Sequence, residues 1–372
     1  MRIAFYCPNK PLEHPDPSGD QTIAQGLVRA LELSGHACRE MSTFRARWFW
    51  RQRNGWVRAA QGVVQAFRRA MAWRPQLWLT YHTYYKAPDV IGPWLSRLLR
   101  IPYVLFQPMY STKHRRNPKT RTGFYLNRWA LRRAHLAVIN NRMDRAALER
   151  IVPSNLLVYL APGIFPEMFR HCDEARRSLR TRYGFADRQP VMLTVARFRP
   201  GAKRKSLHFL FHALSRIGNS ALPWCLLVVG DGPLEAEMRR TATNRLGRRV
   251  IFAGRVARRE LYAYYSSADL FVFPGIKESL GMVYLEAQAC GLPIVALHEG
   301  GVDQVMLDGL TGLLIAHKDT KAYAEAVRDL LEDEKRRLSL GREATHFVNA
   351  HRNLHRQVRY LSGLLESVAV KS

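Results

Sequence analysis

The sequence predicts an α/β protein of two doubly wound domains, each a parallel sheet with helices on both faces. Three observations carry this. The chain has 372 residues, enough for two domains of roughly 100–200 residues. Short apolar runs alternate with stretches of helical periodicity along the whole length. The runs are apolar throughout instead of alternating with polar residues, as strands buried on both faces of a parallel sheet must be.

In the first half, RIAFYC (2–7) reads as a strand and PDPSGD (15–20) as a turn-rich loop. The stretch QTIAQGLVRALELSG then reads as a helix, with Ile23, Leu27, Ala30 and Leu31 on one face and Gly35 as its stop. Further strands are expected at 76–81, 102–107 and 135–140, with a helix at 89–100. The pattern restarts beyond a Pro- and Gly-containing join at 155–170. There PVMLTVAR (190–197), 224–230, 250–254, 269–274, 292–297 and 312–315 are six strand-like runs, separated by helical segments ending with 320–339. Two such Rossmann-like halves leave a crevice beyond the carboxyl ends of their strands, where open α/β sheets bind ligands.

With 47% hydrophobic and 24% charged residues, the composition excludes a disordered, collagen-like or coiled-coil chain. The sequence predicts no transmembrane helix, and the N-terminal run lacks the long apolar core of a signal peptide. Five scattered cysteines lack metal-ligand spacing and are expected to be reduced. Charge is the abnormal feature: 58 Lys and Arg against 30 Asp and Glu, a net +28. Residues 1–170 carry 27 basic and 9 acidic residues, and from Met41 to Met143 the single acid is Asp89. A field this strong implies an anionic partner: a phosphorylated substrate, an anionic membrane or nucleic acid. No nucleic-acid-binding motif accompanies the charge, so no specific nucleic-acid partner is expected.

The most specific segment is DLFVFPGIKESLGMVYLEAQACGLPIVALHEGG (269–301). A strand ends at Pro274, and a turn at Ser279, Leu280 and Gly281 opens a helix that carries Glu286. The free N–H groups and positive dipole end of such a helix make a phosphate site. Carboxylates at Glu278 and Glu286 suit diols, which offer paired donors. GDGP (230–233) is a second strand-to-helix turn, where Gly230 and Gly232 permit close approach and Asp231 lies between them.

Together with VARFRPGAKRKSLHFLFHAL, VVGDGPLEAEM, IFAGRV and GLTGLLI, this segment resembles the donor domain of the family-4 retaining glycosyltransferases, also called glycosyltransferases group 1. The resemblance implies the GT-B fold, two Rossmann-like domains facing a central cleft. It implies domains at 1–168 (acceptor) and 169–350 (donor), with a last helix at 351–372 packing back on the first domain. It implies that Glu278 holds the hydroxyls of the transferred sugar and that Glu286 binds the ribose. The backbone of Ser279, Leu280, Gly281 and Met282 faces the diphosphate. Arg197 and a lysine neutralise that diphosphate, Lys205 favoured over Lys203, and the backbone at Val256 reads the base, uracil or guanine. With those cations, no metal and no cofactor are expected, the nucleotide sugar being the substrate.

The sequence departs from the family in two places. Gln304 stands where an acid is common, with Asp303 beside it. After the PYVLF strand the chain reads FQPMY, with Gln107 in place of a histidine, which leaves His82 and His114 as substitutes and favours His82. In the first half, Gly19 permits approach to the donor phosphates and Asp20 is placed to cap its helix. The stretch 44–73 interleaves Trp and Phe with Arg, which suits the headgroup layer of an anionic membrane. Arg45, Arg47, Trp48, Trp50, Arg51, Arg53 and Trp56, with Lys113, Arg115 and Arg116 of a second basic run, are the residues expected at the membrane or acceptor. The expected protein is a retaining hexosyltransferase on the inner face of the cytoplasmic membrane. It transfers to a glycolipid or lipid-linked glycan of a bacterial envelope polysaccharide or lipopolysaccharide; the alternatives are a nucleic-acid-binding protein and an epimerase or phosphorylase on the same fold.

Overall fold

The computed structural model describes residues 1–15, 19–217, 223–316 and 319–370. The chain divides into two compact units, one formed by 1–161 and 354–372 and the other by 162–353. The first division thus falls seven residues before the expected one.

Unit 1 contains β1 (Arg2–Tyr6), α1 (Gly19–Leu33), β2 (Ala37–Ser42), α2 (Gly55–Trp73), β3 (Leu77–Tyr81), α3 (Gly92–Leu99) and β4 (Tyr103–Phe106). It continues with α4 (Pro118–Leu131), β5 (Leu136–Ile139), α5 (Arg145–Leu148) and β6 (Leu157–Tyr159). Its sheet is parallel, in the order β2-β1-β3-β4-β5-β6. β2 and β6 were not among the strands expected. β2 is a half-solvated edge strand whose sequence, ACREMS, has no apolar run. β6 has three residues and lies inside the segment read as a join.

Unit 2 contains α6 (Asp173–Arg182), β7 (Val191–Val195), α7 (Ala202–Leu214), β8 (Cys225–Val229), α8 (Glu235–Leu246), β9 (Val250–Gly254) and α9 (Leu261–Ser267). It continues with β10 (Leu270–Val272), α10 (Met282–Ala289), β11 (Ile294–Leu297), β12 (Gly312–Ile315), α11 (Thr320–Glu332) and α12 (Glu334–His351). All six expected strands form one parallel sheet, in the order β12-β11-β10-β7-β8-β9. The helix expected over 320–339 breaks at Asp333. That residue leaves helical geometry (φ −95°, ψ 86°) and caps α12 by accepting the Arg336 N–H at 2.9 Å.

The last helix, α13 (Leu354–Val370), belongs to unit 1. It packs beside α1, and His36 Nε2 lies 2.5 Å from Ser362 Oγ. Asp89, the single acid of the 41–143 span, is fully buried. Its carboxylate accepts the hydroxyls of Thr80 (2.6 Å) and Tyr103 (2.8 Å) and the N–H groups of Ile91 and Gly92, both at 2.8 Å, at the start of α3. Burial pushes its pKa up, against those hydrogen bonds.

Candidate active site

In unit 2 the strand order reverses between β7 and β10: the chain leaves β7 toward β8 and leaves β10 toward β11. The loops beyond these strands diverge, and the crevice between them is the ligand position of this fold class. Most of the expected donor-site residues lie on these loops or on those of the neighbouring strands.

Lys203, on the first turn of α7, sits 2.5 Å from Glu278 Oε2, on the loop after β10. Its ammonium also lies 4.6 Å from the centre of the Phe273 ring. Lys205 is exposed, two residues on and so roughly 200° round the helix from Lys203. The lysine that meets Glu278 is Lys203; the expectation for Lys205 concerned the diphosphate. Arg197 follows β7, and its Nε lies 3.3 Å from Asp231 Oδ1, an ion pair not aligned as a hydrogen bond. Asp231 thus holds the arginine from the loop after β8.

Backbone contacts fix these loops. Ile276 N–H donates to Ser206 Oγ of α7 at 3.0 Å, and Gly301 N–H to the Glu278 carbonyl at 3.2 Å. Gly300 has φ +71°, and a Cβ there would collide with the Glu278 carbonyl oxygen. Gly230 has φ +143° and would collide with the Ala196 carbonyl oxygen in the same way. Both positions exclude a side chain, so the loops close on one another backbone to backbone. Gly232 lies beside Phe198 in the same turn, and Gly230 N–H donates to the Gly254 carbonyl at 2.8 Å, which ties in the loop that carries Val256. Val256 is half-buried. Gly281, with φ +70°, is the N-cap of α10 and brings no side chain to it. Ser279 is exposed, Leu280 and Gly281 are buried, and Met282 is half-buried.

Glu286, expected at the ribose, is held by neighbours of its own unit. It is 2% exposed. Its Oε2 accepts the Tyr265 hydroxyl at 2.9 Å and its Oε1 faces Arg258 Nη1 at 2.7 Å. Burial, and then the Glu286 charge, hold the Tyr265 phenol well above its ordinary range, so it stays a donor. Arg258 lies 5.1 Å from the centre of the Phe169 ring. Neither Arg258 nor Tyr265 was singled out in the sequence. Arg258, in the turn before α9, and Tyr265, on α9, reach Glu286 through the packing of α9 against α10.

The other expected residues lie in unit 1, whose own order reversal falls between β1 and β3. His82 follows β3, buried, with φ +60° and Nδ1 3.2 Å from the Gln107 carbonyl. Gly19 opens α1. Asp20 is the second residue of that helix and therefore not its cap; Asp16, Pro17 and Ser18 of the preceding turn lie outside the described residues. Asn9, beyond β1, was missed. It accepts from Arg47 Nη1 (3.4 Å) and the Tyr84 hydroxyl (3.2 Å), and its carbonyl accepts from Arg45 Nε at 3.1 Å.

The segment 44–50 therefore crosses the strand ends instead of standing free. Ala46 N–H donates to the Pro8 carbonyl and Trp48 N–H to that of Lys86, each at 2.8 Å. Trp48 and Trp50 are half-buried, their rings 5.4 Å apart. Of the expected interface residues, Arg45, Arg47, Trp48 and Trp50 are built into the unit, while Arg51, Arg53, Trp56, Lys113, Arg115 and Arg116 are exposed. Cys7, Cys225 and Cys290 are buried, Cys38 and Cys172 half-buried, and all five are free. Among the described residues no helix is long and apolar enough to cross a membrane.

Residues 175–347 match the family described as glycosyl transferases group 1. This segment is a glycosyl transferases group 1 domain. The GDP-mannose-dependent alpha-(1-6)-phosphatidylinositol monomannoside mannosyltransferase of Mycolicibacterium smegmatis is 36% identical over 204 residues, 53% of this chain and 52% of that protein. The alpha-D-kanosaminyltransferase of Streptomyces kanamyceticus is 29% identical over 290 residues, 74% of this chain and 73% of that protein. The chain spans about half the length of the mannosyltransferases it matches. The solved structure of Anabaena HepE with UDP, at 19% identity, covers 99% of this chain and all of that one, with a TM-score of 0.77. Sucrose-phosphate synthase from Thermosynechococcus elongatus, at 21% identity, covers both chains in full with the same score. These likenesses show the GT-B glycosyltransferase fold, with its two Rossmann-like units.

Proposed function

We propose that the chain is a retaining glycosyltransferase that moves a hexose from a nucleoside-diphosphate sugar to a lipid-linked or glycan acceptor. The observation that carries this is the Lys203–Glu278 pair at the strand-order reversal of a group 1 glycosyltransferase domain. In the donor complex, Lys203 and Arg197 meet the diphosphate and Glu278 turns to the sugar hydroxyls. The α10 terminus, from Ser279 to Met282, adds its N–H groups. The backbone at Val256 reads the base, and Glu286 meets the ribose beside the half-open Arg258. As the bond from the anomeric carbon to phosphate breaks, negative charge grows on the leaving oxygen, and fixed cations aimed there lower the barrier. The acceptor oxygen attacks from the face the phosphate leaves, and the departing phosphate oxygen takes its proton, which keeps the anomeric configuration. His82 is the acceptor-side polar group. No step requires a metal.

The GDP-mannose dependence of the mannosyltransferase relatives favours GDP-mannose as donor, with a UDP-sugar next. Their phosphatidylinositol acceptors and the basic first unit favour a lipid acceptor at an anionic cytoplasmic membrane surface, in envelope glycan synthesis. The test is transfer from GDP-mannose and UDP-glucose to lipid extracts, together with melting curves in each nucleotide sugar. A donor that raises the melting temperature and supports transfer, with Glu278→Ala folded but inactive, is expected. Full activity in Glu278→Ala overturns the site, and release of free sugar-1-phosphate with orthophosphate reassigns the reaction.

A further inference from the structure

We propose that unit 1 carries an anionic-phospholipid site on the outer side of its α2–α3–α4 layer, an arginine-lined pocket that takes the lipid phosphate. The inference rests on the membrane part of the proposed function and not on sugar transfer. The three connections β2-α2-β3, β3-α3-β4 and β4-α4-β5 run in one direction across the sheet, so right-handed crossovers place all three helices on one face. One apolar core collects Ala59, Ala66 and Ala70 of α2, Leu95 of α3 and Leu131 of α4, which confirms the shared layer.

The outward sides of these helices are unusually apolar. Trp56, Val64, Met71, Trp94, Leu98 and Tyr125 are between 46% and 64% exposed. The Trp94 and Trp129 rings are 5.4 Å apart, and the Arg133 guanidinium lies 5.2 Å from the centre of the Trp129 ring. Beside them, where α3 ends and the α4–β5 connection passes, is an open pocket of about 430 Å³, lined by Arg97, Arg100, Arg133 and His135. His135 Nδ1 accepts the Tyr103 N–H at 3.1 Å, so its proton is on Nε2, a further donor.

The layer lies entirely within the span whose one acid, Asp89, is buried, so no carboxylate of these segments offsets the guanidinium groups. Planar guanidinium forks match phosphate oxygens, and exposed Trp, Leu and Met beside them suit the interface below the headgroups. Nucleic acid offers phosphate but nothing to receive Val64, Met71 and Leu98. The charge and the apolar rim together fit a bilayer of anionic phospholipid.

The experiment is co-sedimentation of the full chain with phosphatidylcholine vesicles, with and without phosphatidylglycerol. Wild type is expected to bind only the mixed vesicles. The Arg97→Gln/Arg100→Gln/Arg133→Gln variant is expected to lose at least about tenfold in partitioning, from roughly 1 kcal/mol per cation near such a surface. A charge-matched variant in exposed arginines off the pocket, Arg39→Gln/Arg150→Gln/Arg359→Gln, is expected to lose about threefold or less. Equal losses in the two variants overturn the pocket while leaving membrane binding intact. Wild type that binds neither vesicle overturns the membrane reading as well. Pocket-dependent binding of a short RNA, with vesicle binding unchanged, reassigns the site to nucleic acid. If the triple variant melts early, the Arg97→Gln/Arg133→Gln pair decides.

Discussion

The ammonium of Lys203 and the carboxylate of Glu278 meet at 2.5 Å, each on a loop or helix start beyond a different strand of one sheet. Both side chains are partly exposed, 29% and 17%, so the pair is open to exchange partners. In the proposed donor complex, a diphosphate drawing Lys203 away would release Glu278 for hydroxyl donors.

Lys203→Ala is expected to lower transfer by about 10²–10³-fold, the range for removing one fixed group that stabilises developing charge. Lys205→Ala is expected to stay within a few-fold of wild type. Steady-state transfer with the assigned donor checks both. A larger loss in Lys205→Ala than in Lys203→Ala would reverse the assignment.

Tyr265→Phe and Arg258→Ala each remove one partner of a nearly closed carboxylate. Hydrogen bonds to charged groups contribute roughly 1.5–3 kcal/mol, so each variant is expected to unfold at lower urea. Arg258→Ala is also expected to raise the KM for the donor, because Arg258 lies at the half-open side of Glu286. Urea midpoints paired with donor KM values separate the two effects.

Asp89→Ala removes a buried acceptor that serves four donors. The loss is expected at about 3–5 kcal/mol, as for other broken buried networks, with Asp89→Asn intermediate. Equilibrium denaturation of unit 1 measures it, and a loss below about 1 kcal/mol contradicts the network.

Burial raises the Glu40 carboxyl from 4.5 to about 7, opposed by the Leu12 N–H it accepts. The folded state therefore binds the proton more tightly than the unfolded chain. Its contribution is fully present below about 4.5 and is lost as pH rises to about 7. Glu40→Gln is expected to flatten this part of the pH dependence of the melting temperature. An unchanged slope would place the titration elsewhere.

Much of the second unit could be read in advance, because its strands are uninterrupted apolar runs with no alternative structure. The loop around Glu278 was legible for another reason: the Ser279–Leu280–Gly281 turn and the glycines at 300 and 301 punctuate it. What escaped the sequence depends on contacts between distant segments. Lys203 and Lys205 are chemically alike, and only the helix phase separates them. The partners of Glu286, Tyr265 and Arg258, lie 21 and 28 residues away in sequence and are brought to it only by packing. The arginines at 45 and 47 look like a free basic surface until Asn9 and Tyr84 engage them. β2 was invisible because an edge strand needs no apolar alternation on its solvent side.

α13 belongs to unit 1 although it follows the whole of unit 2 in the chain. This helix is synthesised only after all of the second unit, so a nascent chain leaves the α1 surface and His36 Nε2 without their α13 partners while residues 162–353 emerge. The second unit can finish first. The early unit waits for its closing piece, and in that interval a chaperone or the bilayer itself has access to a surface that the finished protein hides.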